Sequence, residues 1–192
     1  EEQGISYHEA VEEAQRRGYA EADPTMDVDG SDAAQKLAIL SHLAFGARVH
    51  WKDISRQGID SLSPTDLRFA GELGYRLKSL AVARLEGDEL ELHVGTQLVR
   101  RDSPLAEVGG AYNAIRLVGD AVGRVWFHGM GAGRMPTASA VVADLIDSVV
   151  GRTAITFRTL QLWSERPARV LPKPSATAAT RYYLRFTVQD HP

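Results

Sequence analysis

Cysteine is absent from the 192 residues of this chain. Disulfides are therefore excluded, and so are aldehyde dehydrogenase mechanisms that pass through a thiohemiacetal, because these need a thiolate nucleophile. The six histidines are scattered without the spacing of metal ligands, so no metal site is expected. Redox chemistry by direct hydride transfer remains open.

Dense basic clusters and long apolar runs are also lacking. Lys and Arg number 22 against 25 Asp and Glu, which gives a formal net charge of −3, and nucleic acid is not an expected partner. No segment reaches the roughly 18 apolar residues of a membrane span, and the start does not resemble a signal peptide. We therefore expect a cytoplasmic protein without membrane contact.

Capping signals and hydrophobic periodicity predict helices first and strand hairpins afterwards. Helices are expected over residues 6–18 (opened by a Ser6/Glu9 capping box), 32–44, 63–73 and 136–150, and strands over 75–85, 89–99, 111–119 and 122–129. The first two strands flank the turn residues Gly87 and Asp88 and should pair antiparallel. This order predicts an α+β fold, a mainly antiparallel or mixed sheet with helices packed on one face.

The composition changes near the end of the chain. Residues 166–180 are rich in Pro, Ala and Thr and are typical of a linker, whereas RYYLRFTVQ, from residue 181, is rich in strand formers. We predict a main domain over 1–150, a connecting segment and linker over 151–180, and the first strand of another domain over 181–192. The start at Glu1 without Met and the end soon after a strand pattern predict a piece of a longer protein.

The most informative segment is GYAEADPTMDVDGSDAAQK, residues 18–36, which concentrates five carboxylates before and at the start of a helix: Glu21, Asp23, Asp27, Asp29 and Asp32. Asp32 and Lys36 are four residues apart, so they share a helix face next to this acidic segment. The spacing alone favours an ordinary surface ion pair over a functional site. Asp23 and Asp29 are expected to bond local backbone amides as turn and cap residues.

A second segment, GMGAG at 129–133, lies between a predicted strand and a predicted helix, where backbone amides can approach a ligand. A tight turn that needs positive φ would show the same glycines. The segment is not GxGxxG and no βαβ unit surrounds it, so a complete dinucleotide site is not encoded.

Residues 18–36 resemble the substrate-binding signature of homoserine dehydrogenases, close to GYxEADPxxDVxGxDAAxK, with every fixed letter present. GYRLKSLAVA (74–83), SPLAEVGGAYNAI (103–115) and GAGRMPTASAVVAD (131–144) resemble later blocks of that family. Met130 departs from the Pro of a GPGAG loop. The resemblance implies that residues 1–150 are the substrate-binding and dimerisation domain, without the amino-terminal nucleotide-binding half. It also implies that residues 181–192 are the truncated first strand of an ACT-like regulatory domain.

The resemblance also implies roles for individual residues. Lys36 would be the catalytic acid/base, Glu21 and Asp32 would contact substrate, and Tyr19 and Asp27 would help to shape the pocket. Gly131 and Gly133 would lie beside the nicotinamide of NADP or NAD, whose main site belongs to the nucleotide-binding half.

The implied parent enzyme interconverts L-homoserine and L-aspartate 4-semialdehyde in threonine, methionine and isoleucine biosynthesis. We expect a homodimer, inactive without that half. The alternative is a non-catalytic regulatory or assembly module that binds an amino acid through the acidic segment.

Overall fold

A computed structural model of the chain describes residues 7–20, 22–60, 62–159, 170–173 and 181–188. Its helices are α1 (Tyr7–Arg16), α2 (Thr25–Val28), α3 (Ser31–Phe45), α4 (Pro64–Glu72), α5 (Pro104–Glu107), α6 (Arg134–Val149) and α7 (Arg152–Thr159). Its strands are β1 (Ser55–Arg56), β2 (Tyr75–Glu86), β3 (Glu89–Arg100), β4 (Tyr112–Gly119), β5 (Gly123–Met130) and β6 (Leu171–Pro172), and a 3₁₀ turn spans Trp51–Asp53.

The main sheet is built around β3. Along one edge β3 pairs antiparallel with β2 over their whole length, and the turn uses Gly87 at a φ of 63°. Along its other edge β3 pairs parallel with the two-residue strands β1 and β6. The sheet is therefore mixed, and the predicted α+β class and the predicted hairpin are confirmed.

The core lies between this sheet and α3. Leu90, Leu92 and Val94 alternate along β3 and therefore point to one face of the sheet, where all three are buried. Ala34 and Leu37 of α3 pack in the same buried cluster. The packing of α3 on the sheet places its first two turns, with Asp32 and Lys36, at the edge of the core.

The second predicted strand pair forms, but as a sheet of its own. β4 and β5 pair antiparallel from Tyr112 opposite Met130 to Gly119 opposite Gly123. Many large apolar side chains of this hairpin and of α6 are at least 40% exposed: Tyr112, Ile115, Leu117, Val118, Phe127, Met130, Met135, Val141, Val142, Leu145, Ile146 and Val149. These elements thus present an uncovered apolar surface.

The carboxy-terminal segment differs from prediction. Residues 181–188 form neither helix nor strand, so the strand expected at the start of 181–192 is wrong for these residues. A strand needs a neighbouring strand for its backbone bonds. Here the segment instead contacts α4: the Tyr183 hydroxyl donates to Asp66 Oδ1 at 3.3 Å and Arg185 Nη1 lies 3.1 Å from the same oxygen. The assignment to an ACT-like domain stays a prediction.

Some predicted features fall on residues whose structure is not described. Ser6 of the capping box lies outside the described residues. So do residues 160–169 and 174–180 of the connecting segment, and residues 189–192 of the segment predicted to start another domain. The described parts of the connecting segment contain α7 and β6, neither of which was predicted. The acidic segment also contains α2, a single helical turn that its composition did not reveal.

Candidate functional site

The carboxylates at the two bends of the acidic segment have local structural roles. Asp23 Oδ1 accepts hydrogen bonds from the backbone N–H of Thr25 at 3.1 Å and from its hydroxyl at 2.5 Å, at the start of α2. Asp29 accepts from the Ser31 backbone N–H at 2.7 Å and from its hydroxyl at 2.9 Å, at the start of α3. The predicted bonding of both side chains to local backbone amides, as in turns, is confirmed. Neither residue is the N-cap itself, which is Pro24 for α2 and Gly30 for α3. These hydrogen bonds, led by those from the hydroxyls, hold the pKa of each carboxyl below its usual value.

Asp32 and Lys36 meet in the first two turns of α3. Lys36 Nζ donates to Asp32 Oδ2 at 2.5 Å, and the two side chains are 62% and 38% exposed. Such an exposed pair adds at most a few tenths of a kcal/mol to stability. The ammonium and the carboxylate are both accessible to a solute, so the pair can hold a polar ligand and exchange a proton with it.

Tyr19 and Asp27, two of the other predicted substrate residues, lie earlier in the acidic segment than the Asp32–Lys36 pair. Tyr19 lies in the turn that ends α1, with its backbone N–H bonded to the Ala14 carbonyl at 2.9 Å and its side chain 45% exposed. Asp27 lies in α2 and is exposed. Glu21 lies outside the described residues. The structure therefore joins Asp32 to Lys36 directly and leaves the side chains of Tyr19 and Asp27 open to solvent.

The predicted cofactor glycines lie between β5 and α6, and each has a local use. A Cβ atom at Gly131 would come within 2.5 Å of the Asn113 amide carbon, and the Gly131 N–H donates to the Ala111 carbonyl at 3.0 Å. Gly133 has a φ of 121°, immediately before α6. Because a residue with a side chain rarely adopts this φ, glycine is required at this point. The contacts of both glycines are with β4, the residue before it and α6.

One residue that the sequence did not single out lies against the acidic segment. Gly58 approaches the end of α2 so closely that a Cβ atom there would stand 2.7 Å from the Val28 carbonyl oxygen. The adjacent Ile59 N–H donates to that same carbonyl at 3.0 Å. The only sequence signal was a glycine in a polar stretch, which is typical of any loop.

In the described ranges, no group of three or more His, Asp or Glu side chains could hold a metal ion. None of the helices in the described part of the chain is long and apolar enough to cross a bilayer.

Comparison with known proteins decides the family. The family model described as homoserine dehydrogenase matches residues 1–146, which is most of the chain. The chain belongs to the homoserine dehydrogenase family. The resemblance of residues 18–36 and of the later blocks to that family is thereby confirmed.

Individual homoserine dehydrogenases agree with this assignment. The protein from Neisseria gonorrhoeae is 42% identical over 196 residues and that from Pseudomonas aeruginosa 43% over 199 residues; each match covers 100% of this chain and 45% of the relative. A crystal structure of the homoserine dehydrogenase from Thiobacillus denitrificans superposes with a TM-score of 0.74 at 44% identity, covering 87% of this chain and 37% of that one. The chain thus spans less than half the length of these homoserine dehydrogenases.

Proposed function

We propose that this chain is the substrate-binding and dimer-forming part of an NAD(P)-dependent homoserine dehydrogenase, a cytoplasmic enzyme that interconverts L-homoserine and L-aspartate 4-semialdehyde. The observation that carries the proposal is the Asp32–Lys36 ion pair, which follows the acidic segment directly in a chain of this family. The reaction belongs to threonine, methionine and isoleucine biosynthesis.

Oxidation of homoserine removes two hydrogens from the carbon–oxygen unit of its alcohol. NAD(P)⁺, when bound, would supply the acceptor for the hydride that leaves the carbon. Lys36 takes the hydroxyl proton at Nζ, and in the reverse direction it returns that proton to the aldehyde oxygen. The 2.5 Å contact with Asp32 holds Nζ near the acidic segment. An exposed carboxylate such as Asp27, together with Glu21, balances the charge of the substrate ammonium, and this contact orients the reacting carbon.

The glycine segment fits only part of a cofactor site. Gly133 has no side chain and lies immediately before the amino terminus of α6. Its backbone is therefore suited to lie beside the nicotinamide. The Asn113 side-chain amide occupies the space where a side chain of residue 131 would lie. Glycine at 131 is therefore needed for the packing of the loop against β4. The main dinucleotide site would then belong to the part of a homoserine dehydrogenase that this chain does not span.

A chimera tests the activity. This chain would replace the matching segment of the Neisseria gonorrhoeae homoserine dehydrogenase, and formation of reduced nicotinamide would be followed with L-homoserine as substrate. We expect turnover that depends on both homoserine and NADP⁺ or NAD⁺. A folded chimera with no homoserine-dependent turnover would contradict the proposal and favour a non-catalytic amino-acid-binding module.

Calorimetry on the chain alone tests where each ligand binds. We expect weak binding of homoserine, because the acidic segment is present, and much weaker binding of NADP⁺. Tight binding of NADP⁺ by the isolated chain would show that the cofactor site has been misplaced.

The homodimer is supported by the uncovered hairpin. A two-stranded sheet is marginally stable by itself, and Ile115, Leu117 and Phe127 on β4–β5 are 40%, 46% and 56% exposed. A second copy of the chain would cover these apolar side chains, and their removal from water would stabilise the dimer relative to two separate chains. Sedimentation velocity at micromolar concentration should show a species of two chains, and a monomer at every concentration would remove this part of the proposal.

A further inference from the structure

The segment Gln57–Asp60 bridges the main sheet and the acidic segment. At one end the Gln57 N–H donates to the Val94 carbonyl on β3 at 2.9 Å. Two residues later the Ile59 N–H donates to the Val28 carbonyl, the last of α2, at 3.0 Å. These two backbone bonds tie the end of α2 to β3 through a single short piece of chain.

Gly58 lies between these two bonds, where no side chain fits. A Cβ atom there would stand 2.7 Å from the Val28 carbonyl oxygen and 3.0 Å from the Asp29 Cα. Both are backbone atoms, so neither can rotate away as the Asp60 carboxylate, at 2.8 Å, could. The φ of Gly58 is outside the left-handed region. Glycine is therefore required here for room and not for backbone conformation.

The contacted backbone leads directly into the first turn of α3. Asp29, beside Gly58, accepts the two hydrogen bonds of Ser31 that start the helix. A Cβ atom at Gly30 would meet Val94 Cγ1 at 3.2 Å and the Gln57 carbonyl oxygen at 3.7 Å, so the junction between α2 and α3 packs closely against both β3 and the Gln57–Asp60 segment. Asp32 is the second residue of the helix that begins here. A shift at Asp29 therefore moves the Asp32–Lys36 pair.

We propose that Gly58 is a positioning residue for the candidate site: by admitting the Val28 carbonyl and Asp29 at contact distance, it sets the place of the Asp32–Lys36 pair. The inference rests on the proposed function for its catalytic consequence. A side chain at Gly58 displaces the α2–α3 junction by several tenths of an ångström or more, and proton and hydride transfer are sensitive to displacements of that size. Gly133, proposed above to lie beside the nicotinamide, is on another part of the chain and should be unaffected.

The matched pair of variants is Gly58→Ala and Gly109→Ala in the chimera described above. Gly109 also has an ordinary φ, and a Cβ atom there meets nothing within 4 Å. For Gly58→Ala we expect kcat/KM for homoserine to fall by about tenfold or more while the KM for NADP⁺ stays within about twofold. Gly109→Ala should keep both parameters. Equal kinetics for the two variants would overturn the inference, whereas an inactive unmodified chimera would count against the proposed function alone.

Hydrogen exchange on the unaltered chain decides the matter if Gly58→Ala does not fold. Because Ile59 N–H and Ser31 N–H bond to two successive residues of the same junction, they should open together and show similar protection factors. Homoserine, at concentrations that occupy the site, should slow both. If homoserine protects Ser31 while Ile59 exchanges at its ligand-free rate, the Gln57–Asp60 segment does not position the site.

Discussion

Replacing Lys36 with Ala should separate catalysis from stability. The Lys36 side chain is 62% exposed and its partner Asp32 is 38% exposed, so solvent screens the ion pair and its loss should lower the free energy of unfolding by less than about 1 kcal/mol. If Lys36 takes the hydroxyl proton as proposed, its removal should slow homoserine oxidation by about 10²- to 10⁴-fold, which is roughly 3 to 5 kcal/mol of barrier. The catalytic loss therefore exceeds the stability loss severalfold.

The assay is steady-state oxidation of homoserine by the chimera, with urea unfolding of each variant beside it. Arg68→Ala is the matched control, because Arg68 and Glu72 form another exposed i,i+4 ion pair, on α4, with nitrogen and oxygen 3.7 Å apart. It should leave kcat unchanged.

Glu21→Gln provides a contrast within the proposed site. It should chiefly raise the KM for homoserine, since it weakens the hold on the substrate ammonium and leaves the proton acceptor in place. If Lys36→Ala instead kept near-normal kcat with an unchanged pH profile, Lys36 would be an ordinary surface lysine. The proton would then leave through another group or a water chain.

Two further predictions concern stability. Leu37→Ala should lower the free energy of unfolding by about 2 to 5 kcal/mol, because Leu37 is 5% exposed in the core, whereas Leu40→Ala, at 39% exposure on the same helix, should cost under about 1 kcal/mol in the same urea titration. The pKa of Asp66 is held below its usual 3.8, first by the hydrogen bond from Ser63. Its ionised form therefore stabilises the fold above about pH 4, and this contribution should be lost as pH falls through the lowered value. Asp66→Asn should remove that acid dependence and, by weakening the contact with α4, make residues 181–188 more susceptible to limited proteolysis. An acid-unfolding curve equal to that of the unaltered chain would contradict this role of Asp66.

Local physics accounts for the parts of the fold that were predicted correctly. The hairpin of β2 and β3 depends on Gly87 and Asp88 between two strand-forming runs, and α4 begins with Ser63 accepting from the Asp66 N–H at 3.2 Å, ahead of a first-turn Pro64. Such features involve residues a few positions apart. The strand expected after residue 180 was wrong because strand-forming composition does not supply a partner strand, and here Tyr183 and Arg185 contact α4.

The sequence by itself determined the family, the turn roles of Asp23 and Asp29 and the pairing of Asp32 with Lys36, because each depends on a motif or on spacings of two to four residues. Only the tertiary structure showed that Gly58 contacts the end of α2, some 30 positions earlier in the chain. That contact arises because β3 and α2 are brought together by burial of the core beneath α3. Burial is set by the packing of distant apolar residues, and no local pattern around Gly58 carries that information.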